Sequence, residues 1–143
     1  MKPTRAVILA LLLLLGVTAK GQDGAPLKLV HTIPLPGLKD GDFDHFAPDV
    51  EGHRLFLTAE ENGKVEVLDT STNQLIHTID DLKAPHAIFY RKALKKLFIV
   101  DGDASAVKVY DSDNYQKVGE IQVAIDADDL RFRDVFMTAL GVR

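Results

Sequence analysis

Apolar residues fall into two regimes along the chain. From Ala6 to Ala19 they are nearly continuous, with Leu11 to Leu15 at the centre. Beyond Leu27 they come in short runs rich in β-branched and aromatic residues, broken by turn chemistry every eight to eleven positions. The runs predict strands at 43–48, 53–59, 64–69 and 74–80, and again at 85–90, 95–101, 106–111 and 116–123. Val65 and Val67 alternate with Lys64 and Glu66, the pattern of a half-buried strand. Asn62-Gly63 predicts a tight hairpin turn with both residues at positive φ. No long amphipathic helix follows the first segment.

The strands repeat. Leu55-Phe56-Leu57 returns as Leu97-Phe98-Ile99, 42 positions later, and Val65 to Asp69 returns as Val107 to Asp111 at the same offset. Gln74 matches Gln116 and Ile79 matches Ile121. A partial third copy opens at Asp126, where Asp128 to Phe132 overlays His86 to Tyr90 and Asp44 to Pro48. Upstream, Leu29 to Ile33 echoes Leu75 to Ile79 and predicts an orphan outer strand. Four antiparallel strands in about 40–45 residues make one blade of a β-propeller. The fold class is therefore all-β: four-stranded antiparallel blades of an incomplete β-propeller, two full blades with flanking strands, after an N-terminal signal helix.

Leu55 to Thr58, Asn62-Gly63, Val65 to Thr70 and Ile76 to Ile79 resemble the YVTN repeat, and the second copy fits through Leu97 to Val100 and Val107 to Asp111. The tetrapeptide itself reads LFLT and LFIV here. The likeness covers roughly residues 27–132. It implies an exported propeller of the YVTN or YncE-like type, a family usually seven-bladed and associated with surface layers, binding and scaffolding, with enzymatic relatives of unrelated chemistry.

Size sets a limit. A propeller closes with about 4–8 blades; four blades of this length need about 168 residues, more than the 143 present, and the pattern shows two and a half repeats. The open faces are expected to expose Phe46, Ile88, Phe89 and Leu130. After Phe132 the repeat pattern is lost, and 135–143 reads as an irregular tail. Two explanations stand: a truncated or frame-disrupted copy of a longer propeller, or a homo-oligomer that closes the ring by sharing blades.

Lys2 and Arg5 precede the apolar run, which ends in Val17-Thr18-Ala19. Fourteen helical residues reach about 21 Å, short of a bilayer core of ~30 Å. Residues 1–19 therefore read as a secretory signal peptide cut after Ala19, leaving a partial propeller over 20–134, with blades at 43–80 and 85–123, in a secreted or periplasmic protein. No later stretch spans a membrane. The absence of cysteine excludes disulfides, thiolate metal sites, a cysteine nucleophile and a lipoprotein anchor. Removing the leader takes the net charge from −4 to −6, which argues against nucleic acid as a partner.

Asp44, His86 and Asp128 occupy one repeat position, at the start of each innermost strand. One repeat step is one rotation about a propeller axis, so the three should face one end of the channel, with Asp42, His45, Asp126 and Asp129 beside them. Carboxylate and imidazole groups suit a divalent metal or a polar ligand. The alternative is a polar channel lining capped by aspartates. In an open fragment the three are expected on a shallow arc, too far apart to chelate, so no cofactor is assigned to the chain and a metal only to a complete propeller. Asp101-Gly102-Asp103 and Asp111-Ser112-Asp113 lack EF-hand spacing and read as turns. His31 and His77 read as solvent-facing strand residues, and Arg91, Lys92, Lys95 and Lys96 as a solvated basic turn or an anion site. Hydrolase, zinc-protease, phosphate-loop and haem motifs are absent. The functional expectation is a non-catalytic binding or scaffold module for an unidentified ligand or protein. A fragment of a lyase- or lactonase-type propeller enzyme, with metal at the channel mouth, is the alternative.

Overall fold

The computed structural model describes residues 27–124 and 127–130. The expected signal peptide and its cleavage site, Asp126, and the tail at 135–143 lie outside the described residues. Two four-stranded antiparallel sheets make up the fold, each a simple meander. Sheet 1 runs β1 (Phe43–Asp49), β2 (Arg54–Ala59), β3 (Lys64–Asp69) and β4 (Gln74–Ile79). Sheet 2 runs β5 (Pro85–Arg91), β6 (Lys96–Asp101), β7 (Ala106–Asp111) and β8 (Lys117–Gln122). The first strands of the two sheets, β1 and β5, are neighbours, as innermost strands of adjacent propeller blades are. Among the described residues no helix is long and apolar enough to cross a membrane.

The 42-residue repeat extends to the backbone. Phe56 pairs with Val67 and Phe98 with Val109. Bulges recur at Phe43/Phe46 and Pro85/Ile88, and at Val67/Leu68 and Val109/Tyr110. Left-handed residues recur too, at His53 and Lys95, Gly63 and Ser105, Asn73 and Tyr115. The Asn62-Gly63 turn differs from expectation: Glu60 to Asn62 form a 3-10 turn and Gly63 alone takes positive φ, closing the loop with its N–H on the Glu60 carbonyl. A longer loop needs one left-handed residue where a two-residue hairpin needs two. Glycine is also required there for space, because a Cβ would lie 2.5 Å from the Leu82 carbonyl oxygen. Asp69 and Asp111 fold their turns by accepting backbone N–H groups from Ser71 and Thr72, and from Asp113 and Asn114. Hydrogen bonds from Ser71 and Thr72 pull the Asp69 pKa down to about 2.

The main core lies between the sheets. Sheet 1 contributes Ala47, Phe56, Val65, Val67 and Ile79; sheet 2 contributes Ile88, Leu97, Ile99 and Tyr110. Equivalent strands therefore use opposite faces: Phe56 is buried in β2, whereas Leu97 and Ile99 are buried in β6. Leu55 and Leu57, the repeat partners of Leu97 and Ile99, are only half-buried, on the other face of sheet 1. Ile88, expected on an open face, belongs to this core, while Phe46 is 67% exposed. Ala87, Val100 and Val107, on the far face of sheet 2, pack with Phe98, Val123, Ala127 and Leu130, so the opening of the third repeat covers part of that face.

Polar links cross the junction. Arg54 holds Asp49 through two nitrogens, donates to the Ser112 carbonyl and the Tyr115 hydroxyl, and lies over the Phe56 and Tyr90 rings. Glu66, expected to face solvent, is 1% exposed and accepts a 2.6 Å hydrogen bond from Thr78. At its repeat position Lys108 is buried, 2.7 Å from Asp101. Residues 27–33 form no strand. A strand needs a paired edge, and the third-strand edge this segment would complete is not among the described residues.

Candidate functional site

The β1 bulge lifts Asp44 and His45 out of the regular ladder, because the register jumps from Phe43 to Phe46. Thr58 fills the gap: its hydroxyl accepts the His45 N–H at 2.8 Å and donates to the His45 carbonyl at 3.0 Å. The matching β5 bulge presents His86 at the same place in the next blade. Asp44 Oδ2 lies 3.0 Å from His86 Nδ1, and Asp44 Oδ1 lies 2.6 Å from His45 Nδ1. One carboxylate thus orients two imidazoles, one per oxygen.

Glu60 completes the group, 3.8 Å from His86 Nδ1. It opens the turn after β2, and antiparallel pairing of Ala59 with Phe43 brings that turn back to the end where β1 begins. The repeat explains why the adjacent blade does not add a second acid. Gly102 holds the position of Glu60, and a Cβ there would lie 2.7 Å from His86 Cδ2 and 2.9 Å from Nε2. Glycine makes room for the imidazole; one blade gives the acids and the other the histidine.

Donor atoms of Asp44, Glu60 and His86 all lie within 4.8 Å of one another. Donors bound about 2.1 Å from one metal ion sit ~3.0–3.4 Å apart, so small rotamer changes bring this set to coordinating distance. The side chains are 25%, 33% and 20% exposed, respectively, which leaves the group open to solvent on one side. Asp44 and His86, two of the three equivalent residues, are in contact rather than spread on an arc. Asp128 is exposed and its carboxylate is not part of the group. Asp42 and Asp129 are also exposed. Glu60 was not singled out from the sequence, although strand order alone returns the second strand to the start of the first.

The remaining candidates are structural or peripheral. The Asp101 carboxylate is fully buried on the backbone N–H groups of Lys83 and Ala84 and on Lys108. Burial opposes its charge but is outweighed by these partners, so its pKa lies below the ordinary carboxylate range. His77 stacks on Tyr115 with ring centres 4.4 Å apart, and His31 is exposed outside any strand. Lys92, Lys95 and Lys96 pair with Glu51, Asp113 and Asp111.

No family model and no curated protein matches the chain. Solved β-propeller structures do. Apo AztD from Citrobacter koseri is similar at a TM-score of 0.56 and 19% identity, over 68% of this chain and 28% of that one. Kuenenia stuttgartiensis hydrazine synthase gives 0.54 and 19%, over 64% of this chain and 27% of that one. The periplasmic gluconolactonase PpgL of Pseudomonas aeruginosa gives 0.55 and 13%, over 71% and 31%. The chain thus spans less than a third of each of these structures. At such identities the likeness establishes the fold: this is β-propeller architecture, present among the described residues as two four-stranded blades.

Proposed function

We propose that the chain is an exported, YVTN-type propeller protein that acts by binding, with Asp44, Glu60 and His86 as a site for a divalent cation. The convergence of two carboxylates and an imidazole from adjacent blades carries this reading. Oxygen and nitrogen donors together suit zinc or a similar transition ion better than calcium, whose sites are built from oxygen alone. His45, on the second oxygen of Asp44, would hold that carboxylate in place. Export rests on the charged, apolar and small-residue segments that open the chain. An enzymatic role of the kind named for the gluconolactonase would need groups around a substrate beyond these donors, and this chain spans 31% of that structure.

Isothermal titration of zinc into the chain starting at Lys20 tests the site. One equivalent is expected to bind, with His86→Ala and Asp44→Ala each weakening binding about 10–100-fold or more, the range seen when even supporting groups of a metal site are removed. A zinc isotherm unchanged by His86→Ala would place any metal elsewhere. Calcium binding as tight as zinc would contradict the donor argument.

A further inference from the structure

His86 turns only one of its two ring nitrogens toward the acids. Nδ1 lies 3.0 Å from Asp44 and 3.8 Å from Glu60. Nε2 faces the hollow above Gly102, where a Cβ would lie 2.9 Å from it. The same Cβ would lie 3.1 Å from the carbonyl oxygen of Ala127. The nitrogen and the carbonyl therefore border one small space. Among the described residues, nothing donates a hydrogen bond to the Ala127 carbonyl.

Coordination through Nδ1 leaves the ring proton on Nε2, because a neutral imidazole carries one. Metal-bound histidines almost always donate that second N–H to a carboxylate, a backbone carbonyl or water, which fixes ring orientation and raises basicity. Both carboxylates of the group lie with Nδ1 and are needed there as donors. On the Nε2 side the bordering acceptor is the Ala127 carbonyl.

Ala127 belongs to neither sheet, and two features bring it to this place. Past β8, Val123 donates its N–H to the Ser105 carbonyl at 2.9 Å, which ties the chain to the turn that contains Gly102. Beyond it, Ala127 and Leu130 pack with Ala87, Val100 and Val107 on the far face of sheet 2. Ala87 directly follows His86 in β5, so the apolar patch that seats the segment begins beside the ligand. Asp128 and Asp129, between the two anchors, are exposed. Leu130 is thus the larger of two apolar side chains that hold residues 127–130 down.

We infer that the opening of the third repeat regulates the metal site: docking of residues 127–130 on sheet 2 presents the Ala127 carbonyl to the Nε2–H of His86, so that docking and metal binding strengthen one another. The inference rests on the metal reading above. Reciprocity follows from linkage, since whatever the docked segment adds to metal affinity, the metal adds to docking. Three successive repeats then share one site, with acids from the first, the imidazole from the second and a backing carbonyl from the third. Metal affinity thereby reports whether the strand that opens the next blade is in place.

Zinc titration, amide hydrogen exchange and imidazole NMR on the chain from Lys20 onward test this. Zinc is expected to slow amide exchange at residues 127–130. Leu130→Ser removes the main apolar anchor, from a position outside both sheets, and should weaken zinc binding about tenfold, the low end of what losing a ligand's hydrogen-bond partner costs. Leu130→Met should bind as the parent does. In the zinc-loaded parent the Nε2-bound proton of His86 should give a slowly exchanging resonance that Leu130→Ser loses, whereas a packing role alone would leave it unchanged. If Leu130→Ser lowers the thermal melt, the exchange measurement on the parent decides. Zinc affinity unaltered by Leu130→Ser, or exchange at 127–130 that zinc does not slow, would overturn the coupling while the metal site stands. A parent that binds no zinc would overturn both.

Discussion

Asp101 is where a single side chain carries most. It is fully buried at the end of β6, and it joins three things: the backbone entering β5, the Lys108 ammonium and, through Lys108, the carbonyl of Asp81. Its pKa is depressed in the fold, so it binds fewer protons there than in the unfolded chain. Its contribution to stability is complete above the unfolded value of about 3.9 and is lost as pH falls through the folded value. Acid titration of the thermal midpoint should therefore show a drop beginning near pH 4. Asp101→Asn should cost about 3–5 kcal/mol at neutral pH, because it leaves Lys108 charged and buried without its anion. It should also flatten the acid drop. A variant that melts like the parent at pH 7 would mean that water already serves Lys108.

At the scale of strands, the repeat makes an unusual comparison available within one chain. Leu55 and Leu97 are equivalent in sequence, pair with equivalent partners and sit on equivalent strands. Leu97 is completely buried between the sheets, while Leu55 is half-buried on the outer face of sheet 1. Leu97→Ala should cost about 2–5 kcal/mol and leave a cavity. Leu55→Ala should cost less than half as much, since its side chain is already partly in water. Equal losses by denaturant unfolding would show that both faces of sheet 1 are equally packed.

This pair also marks what the sequence makes legible. Strand positions follow from alternation and turn chemistry, and the 42-residue spacing carries even the bulges and left-handed residues. Which face of a blade meets its neighbour does not follow, because propeller sheets are apolar on both sides and alternation marks no inside. Glu66 and Lys108 look like solvent-facing residues for the same reason, yet both are buried. At the mouth, Asp44 and His86 were traceable because they share a repeat position. Glu60 was not, since its counterpart is Gly102 and the group depends on that difference.

For the molecule as a whole, the junction between the sheets is a template for contacts on its outer faces. Ile88, Leu97 and Ile99 meet Ala47, Phe56 and Val67 across it. Shifting the first set back by 42 residues gives Phe46, Leu55 and Leu57, on the far side of sheet 1; shifting the second forward gives Phe89, Phe98 and Val109, on the far side of sheet 2. The two outer faces are thus complementary in the same sense as the inner two, and one chain's sheet 2 suits another's sheet 1. Such a contact is head-to-tail, so it closes a ring only if the rotation allows and otherwise extends. Ala127 and Leu130 already occupy part of one face, and Lys39 and Gly37 are hydrogen-bonded to Asn62 and Lys64 beside the other, which limits the affinity. Reversible, concentration-dependent association is therefore expected in sedimentation velocity. Phe46→Glu, at a site 67% exposed in the single chain, should suppress it while leaving the thermal melt at low concentration unchanged. A sharp, cooperative melt from a chain that stays monomeric at every concentration would sink this expectation, and would mean that the flanking segments suffice to cap two blades.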